Sequence, residues 1–238
     1  KKAKEITQID DVYFEDKKAN KRFGFDHIQT AYCNQLEGAI NTGMLIQEMY
    51  KRTIEANIQV LFGVEALSMS SNTQGVTMQT NKGPIETSNC IIATNGFAKQ
   101  WIEDDINPAR AQIIVTNEIK NLKVKGTFHF QKGYYYFRNI GNRILLGGGR
   151  NLDFKGETTE SFETTPKIQK KLEELLRFTI IPNQEFSIDY AWSGIMGVGD
   201  VKSPILKMLN KNTAVGVRLG GMGVALGSQV GKSLANYF

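Results

Sequence analysis

The chain has 238 residues, 41% of them hydrophobic, with 23 glycines, 5 prolines and a formal net charge of +5. That is enough material for one large domain or two small ones. No stretch reaches the ~20 apolar residues that a membrane helix needs, and the opening Lys1-Lys2-Ala3-Lys4 does not read as a secretory leader. Lys and Arg are interspersed with Asp and Glu, so no basic stripe argues for nucleic acid, and the widely separated Cys33 and Cys90 read as buried thiols of a cytoplasmic protein.

In chain order, Lys1 to Arg22 is polar and irregular apart from Val12-Tyr13-Phe14, and a chain opening this way reads as a piece of something longer. The first clear helix is predicted from about Thr42 to Ala56, with Thr42 as its cap and Met44, Leu45, Met49 and Ile54 on its apolar side. Strands are predicted at 58–62, 64–69, 75–80 and 89–93, separated by the turn chemistry of 70–75 and 81–84. A β-rich middle follows, with strands at 112–118, 127–130, 134–138 and 143–147 and a hairpin at Ile140-Gly141-Asn142. Next come a helix over 166–178, with proline in its first turn, and a strand over 186–192. The chain closes with a buried strand over 213–219, a turn crowded with glycines and a helix carrying Val224, Leu226, Val230 and Leu234. The alternation predicts an α/β or mixed α+β fold with an antiparallel part inserted between βα elements.

Two segments ask for a ligand. The turn Gly220-Gly221-Met222-Gly223-Val224 would aim free N–H groups and a helix dipole at whatever sits over it, suiting an anion, a phosphate or a ring that becomes negative on reduction. An ordinary buried strand–turn–helix would look the same. The strand end Ile91-Ile92-Ala93-Thr94-Asn95-Gly96 would let a nucleotide lie across a sheet edge, although many buried strands end this way. Conventional catalytic groups are thin: His27 and His129 lie in no metal or triad motif, and there is no nucleophile elbow, Walker loop or paired-cysteine motif. Such a protein can borrow its chemistry from an organic cofactor. In Gly133-Tyr134-Tyr135-Tyr136-Phe137-Arg138, Tyr134 and Tyr136 share one strand face and Tyr135 the other, which suits either a packed core or a hydroxyl in a substrate pocket.

Taken in order, these pieces resemble the FAD-dependent amino-acid oxidase family, which includes D-amino-acid oxidase, glycine oxidase and sarcosine oxidase. The resemblance runs through Gly38–Leu45, Gln59–Val64, Ala93–Ala98, Pro108–Gln112, Tyr134–Gly149, Trp192–Ile195 with Asp200 and Pro204, and Gly220–Gly223. It implies a partial FAD-binding domain with an inserted, mainly antiparallel substrate domain. The divisions it suggests are an N-terminal segment of the substrate domain at 1–37, FAD-domain parts at 38–107 and 199–238, and the substrate domain at 108–198. It assigns cofactor contacts to Val64, Ala93, Thr94, Asn95, Gly96, Gly220, Gly221, Met222, Gly223 and Val224. Substrate contacts fall to Tyr135, Arg138, Trp192 and Met196, with no metal and no catalytic residue identified.

The implied activity is oxidation of a small amine or amino-acid-like molecule by hydride transfer to flavin. A flavin dehydrogenase for a hydroxy compound, or a non-catalytic module, are the alternatives. Two departures stand out. The family's opening Gly-x-Gly-x-x-Gly turn is not in this sequence, so the chain resembles the C-terminal two-thirds of such an enzyme, with weak or no FAD binding expected. Met196 occupies a place where relatives often carry a cation for a substrate carboxylate; Arg138 and Arg218 are candidates to replace it.

Overall fold

The computed structural model describes residues 2–238. Its elements are α1 (Lys2–Thr7), β1 (Tyr13–Glu15), α2 (Ala19–Phe23), β2 (Tyr32–Asn34), α3 (Thr42–Glu55), β3 (Ala66–Ser71), β4 (Val76–Thr80), β5 (Gly83–Thr87) and β6 (Cys90–Ile92). There follow β7 (Asn107–Thr116), β8 (Thr127–Phe130), β9 (Tyr135–Ile140), β10 (Arg143–Gly148), α4 (Pro166–Leu175), β11 (Ile188–Val198), β12 (Ile205–Asn210), β13 (Thr213–Val217) and α5 (Gly223–Ala235). The fold is mixed α/β with largely antiparallel sheets. Among the described residues, no helix is long and apolar enough to cross a membrane.

Two compact units emerge: one comprises 1–39, 110–157 and 161–194, the other 40–109, 158–160 and 195–238. In the first, a five-stranded sheet runs in the order β11-β7-β10-β9-β8, beside a small β1-β2 pair. The β9–β10 hairpin closes through Gly141-Asn142, with Gly141 at φ +58° and Arg143 opposite Ile140. Alternation along β9 sends Tyr135 and Phe137 into the core and turns Tyr136 to the other face. α4 covers that core with Ile168, Leu172 and Leu175, spaced four and three apart so that one stripe is buried. Burial of each such side chain stabilises by roughly 1.5–3 kcal/mol, and Leu172→Ala would remove about 2–5 kcal/mol including the cavity. Pro166 starts the helix, where its missing N–H is harmless, and the chain leaves through a π-helical turn at Leu176–Ile180.

The second unit holds the meander β3-β4-β5 and the three-stranded sheet β12-β13-β6. β13 is buried along its whole length, pairs antiparallel with β12 and runs parallel to β6. α5 packs on β13 at Gly216, where an added Cβ would lie 2.5 Å from Leu234 Cδ1. α3 is capped by Asn41, not Thr42: the Asn41 Oδ1 accepts from the Met44 amide at 3.1 Å. Residues 58–62, predicted as a strand, form no ladder, and Leu61 and Phe62 are exposed. Four strands were missed, β1 and β2 near the start of the chain among them. β5 begins inside the predicted turn, where Thr80 Oγ1 donates to the Gly83 carbonyl at 2.6 Å, and β12 lies just before β13.

Candidate functional site

The parallel strands β6 and β13 end side by side in the second unit, and both turns flagged in the sequence leave from those ends. The carboxyl ends of adjacent parallel strands are where open α/β sheets bind ligands. After β13 the chain passes through Arg218, Gly220 and Gly221, all left-handed at φ +62°, +56° and +83°, and enters α5 at Gly223. The Met222 amide donates to the Leu219 carbonyl at 2.8 Å, and the Gly220 amide to the Gly197 carbonyl at 3.0 Å. The amides of Gly221, Gly223 and Val224 take no part in the turn's own hydrogen bonds. No acidic side chain lies in the first turn of α5 to compete for its positive end.

Space above the turn is kept by glycine. A Cβ on Gly220 would meet nothing within 4 Å, and one on Gly221 would meet only Met196 Sδ at 3.4 Å. The side chains of Met222 and Val224 are exposed beside it. On the neighbouring strand end, Asn95, itself left-handed at φ +47°, accepts the Leu219 amide on its Oδ1 at 3.1 Å and so ties the two turns together. Gly96 is buried where a Cβ would fall 2.7 Å from the Met196 carbonyl oxygen. Ala93 and Thr94 are exposed at the same end, while Val64 is half-buried in the loop before β3. The cofactor residues named from sequence therefore all fall in one unit, and Met196 packs against their glycine turn.

Arg218 does not supply a spare cation. Its Nε donates to the Ser203 carbonyl at 3.1 Å, and one Nη donates to the Asp105 carbonyl at 2.7 Å and its carboxylate at 3.3 Å. The strained backbone of a buried non-glycine residue is thereby clamped in place.

In the first unit Tyr135, expected at the substrate, lies buried. Its ring is 1% exposed and stacks on Phe130 at 5.0 Å inside the core, so the β9 pleat removes it from any open surface. Tyr136, on the opposite face, lies over Gly147, where a Cβ would fall 2.7 Å from its hydroxyl oxygen; burial pushes its phenol pKa up. Arg138 is half-buried and its Nε donates to the Asn139 carbonyl at 3.3 Å. Trp192 is 41% exposed.

Two charged features escaped the sequence reading. The Arg110 guanidinium grips the Glu157 carboxylate at 2.7 and 2.9 Å, and Gln112 Nε2 donates to both of its oxygens at 3.0 Å. All three are buried, and Glu157 holds the Arg110 pKa up. The alternation Arg110-x-Gln112 placed both on one strand face, but a partner 45 residues on left no local signal. The other feature is Arg150, just past β10, whose Nε is buried without an acceptor. Among the described residues, no group of three or more His, Cys, Asp or Glu is placed to hold a metal ion.

Comparison with known proteins bears on the family and the fold. The family model for FAD dependent oxidoreductases (DAO) matches residues 2–237. The fold is similar to L-proline dehydrogenase from P. horikoshii, at 17% identity and a TM-score of 0.77, covering 97% of this chain and 65% of that one. It is also similar to glycine oxidase from Geobacillus kaustophilus, at 16% identity and a TM-score of 0.78, covering 94% of this chain and 62% of that one. Glycine oxidase from Bacillus cereus ATCC 14579 gives 14% identity and a TM-score of 0.80, with 99% and 66% covered. The chain thus spans less than two thirds of the length of the first two. No curated protein matches it. With a family model matched almost from end to end, the chain belongs to the DAO family of FAD dependent oxidoreductases.

Proposed function

We propose that this chain serves the oxidation of an amine or amino-acid-like substrate, its second unit contributing to the flavin site and its first unit to the substrate site. The observation that carries this reading is the glycine turn. Gly220 and Gly221 leave a cradle that any Cβ would narrow, with unengaged amides at the start of α5 and no acidic side chain in that first turn. These residues fit the ring portion of a flavin. Bound flavin supplies the acceptor for the hydride leaving the carbon beside the substrate nitrogen.

The protein's part is to bind and orient. The amides of Gly221, Gly223 and Val224 would stabilise negative charge held over the turn. Met196, packed on Gly221, gives that cradle an apolar wall. Ala93, Thr94, Asn95, Gly96 and Val64 would border the remainder of the cofactor, and Trp192 and Arg138 would face the substrate. Tyr136 takes the role first given to Tyr135, because it lies on the face of β9 turned away from the core. The names of the structural neighbours, a proline dehydrogenase and two glycine oxidases, support an amine over a hydroxy compound. The sequence carries no Gly-x-Gly-x-x-Gly turn for the pyrophosphate, so FAD is expected to bind this chain alone weakly. The unpaired thiols of Cys33 and Cys90 suit a cytoplasmic setting.

The test is anaerobic mixing of the flavin-loaded, intact gene product with a panel of amines, amino acids and hydroxy acids while flavin absorbance is followed. Bleaching by amines or amino acids is expected. Bleaching by hydroxy compounds alone would overturn the reading.

A further inference from the structure

A cavity that the proposed oxidation does not use lies at the free edge of the five-stranded sheet, wholly within the first unit. It measures about 760 Å³ and is lined by all four residues of β8, all three of β2, Tyr13 of β1 and the end of α2. β8 is the last strand of its sheet and pairs only with β9, while β2 pairs only with β1. Each therefore presents an outer edge whose main-chain groups have no strand partner among the described residues. Such edges are ordinarily guarded by charge, proline or a bulge. The opposite edge of the same sheet, β11, carries Asp189, and the edge strand β5 carries Pro84 and Glu86. β8 reads Thr-Phe-His-Phe in unbroken register and has none of the three.

The floor of the cavity is aromatic. Phe128 stacks on Phe137 at 4.6 Å, and Phe23 and Phe25 meet Phe128 edge-on at 4.9 and 5.3 Å. Phe128 and Phe130 share one face of β8 and are half-buried, whereas Thr127 and His129 are exposed on the other. The charged side chains around the opening are engaged: Arg22 with Asp16, Glu37 with Asn34 at 2.7 Å, and Lys125 with the Gly141 carbonyl at 3.2 Å. The space thus offers main-chain donors and acceptors above an apolar floor. A charged small molecule finds no spare counter-charge there, whereas an extended peptide finds both the hydrogen bonds and the pockets it uses.

We propose that this cavity is a strand-acceptor site, taking an extended peptide segment from outside these 238 residues that is apolar at every second position. The segment pairs with the outer edge of β8, over about 14 Å for its four residues at ~3.4 Å each, and lays its apolar side chains on the phenylalanines. Its far edge then lies toward β2. A second copy of this chain is the poorer fit, because it would bring a whole sheet to an opening already walled by β2 and α2. Strand capture here requires neither flavin nor the oxidation proposed above.

The test titrates the full chain with the peptide acetyl-Lys-Val-Thr-Val-Thr-Val-Lys-amide and with the same peptide carrying proline at its central valine. Hydrogen exchange is read at the β8 amides. Alkylation by iodoacetamide is read at Cys33, the cysteine that lines the cavity, Cys90 being buried in the other unit. Saturable protection is expected, with exchange of the edge-facing β8 amides and alkylation of Cys33 slowed roughly tenfold or more. The proline peptide should have no effect, because it lacks the central donor. Thr30→Trp, at an exposed lining position outside the core, should fill the space and abolish protection; if that variant does not fold, a bulky maleimide placed on Cys33 of the folded chain decides instead. No protection by the valine peptide, equal protection by the proline peptide, or protection that persists with the cavity filled overturns the proposal. Protection that rises with protein concentration alone, beside a dimer in sedimentation, overturns it in favour of a second copy.

Discussion

Gly221→Val separates a flavin cradle from an ordinary turn. Gly221 has φ +83°, where an L-residue costs about 1–2 kcal/mol and a β-branched one more. The new Cβ would lie 3.4 Å from Met196 Sδ, a flexible thioether that can give by a few tenths of an ångström. The folded state should therefore lose only about 1–3 kcal/mol, a fall in Tm of roughly 2–12 °C for a chain of this size. Flavin binding should suffer far more. The branched side chain occupies the room over the amides, and each charge-assisted bond lost is worth about 1.5–3 kcal/mol, or roughly 10–150-fold in affinity. The measurement is the flavin-to-protein ratio of the intact gene product after gel filtration, with thermal unfolding followed by circular dichroism on the same samples. Gly220→Asn is the companion, since asparagine tolerates φ +56° and its Cβ meets nothing within 4 Å. Normal flavin content in Gly221→Val, with the modest loss of Tm, would refute the cradle and leave the turn a structural device.

Glu157→Gln should destabilise the first unit by about 3–5 kcal/mol in urea unfolding, because it strands the buried Arg110 charge; Arg110→Met with Glu157→Leu should recover most of that, and equal loss in the double variant would contradict the argument. Arg218→Lys keeps the charge and loses the fork that clamps a left-handed residue, so a loss of about 1–3 kcal/mol is expected in the same assay; unchanged stability would mean the clamp carries no strain. Burial raises the pKa of Tyr135 and Tyr136. Above the ordinary tyrosine value of about 10, the unfolded chain releases these protons while the folded chain holds them, so stability should fall as pH rises through that range. Tyr136→Phe should make the fall shallower in thermal melts taken across that range, and an unchanged slope would remove Tyr136 as a cause.

Much of the frame was legible because local patterns agreed with their tertiary setting. Thr127–Phe130 alternates and forms a strand with those bounds, and the uninterrupted apolar run after Thr213 becomes the wholly buried β13. Pro166 and the spacing of Ile168, Leu172 and Leu175 marked α4. Misreadings arose where context overrode pattern. The apolar segment 58–62 finds no ladder partner, and Gly83-Pro84 looked like a turn yet enters β5 on the exposed side of a meander. Among the candidate residues, the glycine turn before α5 was legible as a turn because its signal is local backbone chemistry. The facing of Tyr135 and Tyr136 was not, since either register suits an aromatic strand and only packing under α4 selects one. Arg150 gave no sign at all, because a buried Nε without an acceptor is a tertiary feature that spacing does not record.

A loop built on Gly220, Gly221 and Gly223 would ordinarily be floppy, and a ligand would have to freeze it on arrival, each glycine giving up more freedom than any other residue. Here that ordering is settled by folding. The Leu219 amide is pinned by Asn95, the Gly220 amide by the Gly197 carbonyl, and the preceding residue is bolted to Asp105 and Ser203. The turn can thus combine the bareness of glycine with the stiffness of a packed core, and whatever settles on its amides meets a preorganised surface whose entropic penalty was met before binding began.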